Sequence, residues 1–153
     1  MIPAGRRAAQ KLKLPFVPPY LSYNGSFRQG ANFAVAGATA QDAVFFRDIP
    51  RVGQFVLNTS SSVQLRWFES LKPSLCSPAR GKSSKHTSAK CPPRFFHKSL
   101  FFVGEMGFND YAFAVFGKTI PQLRSMVPDV VKTISAAIEV MTLRSTNHAH
   151  FSV

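Results

Sequence analysis

The chain has 153 residues, a formal charge of +12, a hydrophobic fraction of 45% and 15 phenylalanines. That much apolar material excludes a disordered chain and suffices for one modest domain, expected to span residues 1–153. No run of about 18 apolar residues occurs, which argues against a transmembrane helix.

The N-terminal stretch MIPAGRRAAQKLKLP is basic. It lacks the apolar core of about 7–15 residues that precedes a cleavage site, so it does not read as a secretory signal. Pro15, Pro18 and Pro19 break any helix in LPFVPPYLSYNG (14–25), which reads as an extended wall segment. Sequons at Asn24 and Asn58 are candidate glycosylation sites that matter only if the chain enters the secretory pathway.

In GANFAVAGATAQD (30–42), a short apolar core bounded by Gly30 and Gly37 predicts a buried strand running into a turn. Ser60 or Ser61 is placed to cap a helix whose apolar side holds Leu65, Phe68 and Leu71, stopping at Pro73. Val63 and Trp67 make a neighbouring pair on it at four-residue spacing.

Cys76 and Cys91 bracket a Ser- and Lys-rich loop. They are expected either to close a disulfide in an oxidising compartment or to remain two thiols. His86 and His97 lie near, but no metal-ligand spacing occurs, so no metal is expected. The basic residues bunch at Arg6, Arg7, Lys11 and Lys13, and at Arg80, Lys82, Lys85, Lys90, Arg94 and Lys98. The second bunch reads as a solvated loop, with nucleic-acid binding as the weaker reading.

KSLFFVGE (98–105) is continuously apolar, which predicts a strand buried on both faces, as in a parallel sheet. A turn at Gly107-Phe108-Asn109-Asp110 follows. Leu123, Val127, Val130, Val131, Ile134, Ile138 and Met141 then recur at helical spacing. Pro128 and Asp129 suit the first turn of that helix. Residues 144–153 show no pattern. The order strand, helix, strand, helix predicts an α/β layered fold with a parallel sheet.

Two strand ends carry unusual chemistry. A Gly at position 37 lets its backbone N–H approach a ligand oxygen unobstructed, and Asn109 offers a neutral amide donor. Together the pair suits a developing oxyanion. The plain alternative is a turn and a turn cap.

LPFVPPYL, GANFAVAGATA, QLRWFESLKPSLC and FFHKSLFFVGEMGFNDYAFAVFGKTIPQL resemble, in order, segments of the plant GDSL esterase/lipase family, a branch of the SGNH hydrolases. The resemblance runs from about Leu14 to about Val140 and is interrupted at the basic loop, about 80–90, which looks inserted. It implies a three-layer α/β/α, flavodoxin-like fold, present here in part. It also implies hydrolysis of small-molecule acyl or acetyl esters by Ser, His and Asp without a cofactor. NFAVAGA matches the block that makes Gly37 an oxyanion donor. Gly107-Phe108-Asn109-Asp110 matches the block that makes Asn109 the second donor, with Gly107 and Asp110 as structural neighbours.

The family's GDSL block should precede the Leu-Pro segment by several dozen residues. Only residues 1–13 precede Leu14, and no Gly-Asp-Ser triplet occurs. Neither His148 nor His150 follows an Asp at the spacing of the family's Asp-x-x-His block. Ser60, Ser61, Ser62 and Ser99 lack a nucleophile elbow. The expectation is therefore an impaired ester hydrolase. A non-enzymatic remnant or binding protein is the alternative, and a basic nucleic-acid binder through residues 80–98 is the third reading. The resemblance implies the secretory pathway, which family members usually enter; a leader is not evident here. Missing sheet partners would leave apolar edges exposed and favour aggregation.

Overall fold

The computed structural model describes residues 4–50, 52–76, 91, 95–96, 98–145 and 150–152. Helix α1 spans Ala4–Lys11, and a 3-10 turn spans Ala43–Phe46. Helix α2 (Ser61–Cys76) precedes strand β1 (Leu100–Phe102). Helices α3 (Phe108–Ala114), α4 (Ile120–Ser125) and α5 (Val127–Ser145) follow, and strand β2 is His150–Ser152.

The helices follow local signals. In α2 the buried positions Val63, Phe68 and Leu71 share one side, while Leu65 is only half-buried. The helix does not stop at Pro73 but continues to Cys76. Pro supplies no N–H and normally breaks an interior turn. Here Ser74 Oγ donates to Leu71 O at 2.8 Å, and the last residue is tied by a disulfide to Cys91. Helix α5 starts with Pro128 in its first turn, and its inner face is Val130 and Ala137, continuing the buried Met126. Val127 and Val131, expected on that face, are exposed. The helix turns its Met126–Val130–Ala137 line inward because that line meets the core.

One core cluster joins Phe46, Ile49, Val52 and Val56 to Ala114 and Met126, with Phe113 and Leu123 packed against it. It links the turns after the 3-10 segment to α3 and the start of α5. A second cluster is aromatic. Phe68 meets Phe33, Phe96 and Phe101, and Tyr20 stacks on Trp67 at 5.9 Å.

Among the described residues the sheet has two strands of three residues, paired in parallel with Leu100 opposite His150. The expected wider parallel sheet is not formed among them. NFAVAG makes no strand: its only ladder contact is the isolated bridge between Pro19 and Asn32. A strand needs a neighbour for its N–H and C=O groups. This segment turns on itself instead, Asn32 Oδ1 accepting from Ala34 N at 2.9 Å and Val35 O from Ala38 N at 3.1 Å. β1 is not buried on both faces either. Leu100 and Phe102 point outward and are exposed, because no layer covers that side among the described residues.

Candidate functional site

The site begins with two glycines that bend the backbone. Gly37 has φ +79°, a left-handed value that favours glycine, inside the turn closed by Ala38 N on Val35 O. A Cβ there would meet only Phe113 Cζ, at 4.0 Å, so conformation rather than space selects glycine. Gly107 has φ +98°, and a Cβ on it would lie 3.1 Å from Val130 Cγ1. The start of α3 is thereby seated tightly against α5.

Gly107 is the residue before α3, so Asn109 and Asp110 fall in the first turn of a helix rather than in an open turn at a strand end. The reason is local: once Gly107 has turned the chain, Tyr111 N bonds back to Gly107 O and the helix propagates. From that turn the two side chains reach one segment. Asn109 Nδ2 donates to Ala38 O at 2.7 Å. Asp110, fully buried, accepts from Ala40 N at 2.7 Å and from Gln41 N at 2.8 Å. Gln41 Nε2 in turn donates to Thr133 Oγ1 on α5 at 3.0 Å.

Residues 38–41 are thus stitched to α3 and α5 by side chains. A primary amide carries two N–H donors, and one of Asn109's is spent on Ala38. The amide nitrogen therefore sits at the carbonyl of Ala38, the residue that follows Gly37. Burial pushes the Asp110 carboxyl above its usual range, opposed by the N–H groups of Gln41 and Ala40. Burial and the neighbouring Asp110 charge raise the Tyr111 hydroxyl.

A second polar knot lies at the start of α2. Ser60 Oγ and Ser62 Oγ donate to Asp42 Oδ1, the latter at 2.5 Å, and these bonds hold the Asp42 carboxyl below its usual range. Ser61 Oγ donates to Ala40 O at 2.7 Å. All three hydroxyl protons are committed to structural acceptors around the helix start. Asp42 was the partner that sequence reading missed. Ser60 and Ser62 lie one position either side of Ser61, where the helix starts, and their two hydroxyls share one carboxylate.

A cleft of about 550 Å³ opens between α2 and α5, lined by Gln41, Phe45, Ser62, Lys132, Thr133 and Val140 among others. Neither Gly37 nor Asn109 lines it. Gln41 is its one link to the stitched segment.

Cys76 and Cys91 are joined as a disulfide. Asn24 and Asn58 are both exposed. Most of the basic loop, with Arg80, Lys82, Lys85, Lys90 and Arg94, lies outside the described residues, as do His86, His97 and His148. Among the described residues no group of three or more His, Cys, Asp or Glu is placed to hold a metal ion. No helix among them is long and apolar enough to cross a membrane.

Comparison with curated proteins found several plant relatives. The chain is 40% identical over 141 residues to a GDSL esterase/lipase of Arabidopsis thaliana, covering 86% of this chain and 35% of that protein. It is 42% identical over 132 residues to the sinapine esterase of Brassica napus, covering 85% and 31%. It is 37% identical over 129 residues to the acetylajmalan esterase of Rauvolfia serpentina, covering 84% and 30%. The chain thus spans about a third of the length of these relatives. No family model matches the chain, and no solved structure matches it.

Proposed function

We propose the function from one premise: the chain belongs to the plant GDSL esterase/lipase family. An α/β fold of the SGNH-hydrolase type comes with that membership, and the complete three-layer parallel sheet is part of the proposal. The chain acts in hydrolysis of small acyl or acetyl esters, a substrate class in keeping with relatives named for sinapine and acetylajmalan.

In this reading the ester carbonyl oxygen sits between the Gly37 N–H and the second N–H of Asn109. As the carbonyl carbon becomes tetrahedral, the oxygen takes negative charge. Two neutral donors fixed in place stabilise that charge without reorganising. Asp110 and Gly107 are positioning residues. Asp110 anchors residues 40–41, and Gly107 sets where α3 begins. Hydrolysis also needs a nucleophile and a base, and no Gly-Asp-Ser triplet occurs in the sequence. The part proposed for Gly37 and Asn109 is charge stabilisation, with water as the attacking group: its oxygen bonds to the carbonyl carbon, and the alkoxide leaves with the water's proton.

The supporting observation is the 2.7 Å bond from Asn109 Nδ2 to Ala38 O, which brings the amide to the residue after Gly37 across 71 positions of chain. Hydrolysis of p-nitrophenyl acetate by the whole chain tests it. Turnover above buffer is expected. Asn109→Ala should lower it by about 10²-fold while circular dichroism stays unchanged. A folded wild-type chain with no turnover would favour a non-enzymatic binding protein instead.

A further inference from the structure

We propose that α1 and the segment after it form a docking surface for an anionic lipid membrane. The inference is independent of the ester site. No Asp or Glu occurs before Asp42. Arg6, Arg7, Lys11 and Lys13 are all exposed, and no ion pair joins them to a carboxylate among the described residues.

The helix end gathers apolar groups beside these cations. Lys13 adopts φ 54°, and Leu14 N bonds back to Ala9 O at 2.8 Å, which closes α1 and redirects the chain. Phe16 then returns to the first turns of the helix, its ring centroid 4.6 Å from the Arg6 guanidinium carbon. Leu12 is 56% exposed and Phe16 51%, with Leu14 and Val17 exposed beside them. Four cations and four apolar side chains therefore share about a dozen residues.

The combination selects the partner. Nucleic-acid phosphates would satisfy the cations but offer nothing to Leu12, Leu14 and Val17. A bilayer interface takes both: lipid phosphates and serine carboxylates meet the cations, and the acyl boundary receives the aliphatic groups. A basic patch or a single apolar insertion is weak alone, whereas two signals together give stable attachment.

Co-sedimentation of the whole chain with vesicles tests this, using phosphatidylcholine alone or mixed with phosphatidylserine. The chain should bind the mixed vesicles, be released as salt is raised, and bind the neutral vesicles weakly. Replacing Arg6, Arg7, Lys11 and Lys13 together by Gln should lower partitioning by more than about tenfold. Leu12→Ser with Leu14→Ser, which keeps every charge, should lower it severalfold, and this pair decides the matter if the Gln variant fails to fold. Equal binding to neutral vesicles overturns the proposal. So does a loss produced only by neutralising Lys82, Lys85 and Lys90, or retention on duplex DNA with the mixed vesicles ignored.

Discussion

Asp110 carries more of the local structure than any other polar side chain described. It is fully buried and accepts from two consecutive backbone N–H groups, 69 and 70 positions away. Asp110→Ala orphans both donors and should cost about 2–4 kcal/mol in urea denaturation. The pH dependence has a definite sign. The folded-state pKa lies above the ordinary 3.8 because burial penalises the anion. The folded chain then holds this proton to higher pH than the unfolded chain. The contribution is full below 3.8 and is lost as pH rises through the raised value. Asp42 works the other way, since Ser60 and Ser62 lower its pKa. Its contribution is present above the ordinary value and fades as pH falls. Asp110→Asn should therefore remove a decline of stability with rising pH, seen as converging denaturation midpoints toward acid. Midpoints that differ by a constant amount across the range would contradict the assignment.

Helices were legible where the pattern repeats locally. The apolar spacing in α2 and α5, and Pro128 with Asp129 at a helix start, are properties of a few neighbouring residues. The reading fell short at Pro73, beyond which the helix runs on to Cys76 with a side-chain bond and a covalent link at its end. It also did not separate α4 from α5; the start of α4 is marked by Gln122 Oε1 accepting from Thr119 N at 2.8 Å. The Thr-x-x-Gln spacing was available in the sequence. Strands fared worse, because NFAVAG has strand composition but no described partner to pair with. The disulfide makes a prediction at this scale. It closes a separation of 15 residues at the end of α2. Replacing both cysteines by Ser should cost about 3 kcal/mol and abolish the effect of reductant on the denaturation midpoint. A midpoint insensitive to reductant in the wild type would show that the bond does not constrain α2.

Across the whole molecule, strong charge and exposed apolar surface oppose each other. Phe108 is 75% exposed and Phe116 76%, with Ile120, Val127 and Val131 also open, while the net charge is +12. Like charge keeps copies apart at low ionic strength, and salt screens it within about 10 Å at 0.1 M. Light scattering should therefore show association growing with salt, and Phe116→Ser with Ile120→Ser should suppress it. Scattering that stays flat with salt would mean that these side chains drive no association. By itself the sequence determined the residue types that chemistry requires at the bends: glycines at 37 and 107, an amide at 109 and a carboxylate at 110. It also determined α2 and α5, because a helix closes its hydrogen bonds within four residues and their apolar spacing repeats locally. Only the tertiary structure decided what those polar groups touch. Asn109 meets Ala38, and Asp110 meets Ala40 and Gln41, across about 70 positions of chain. Such partners are chosen by how α3 packs beside residues 38–41 and α5, and no local preference encodes that choice.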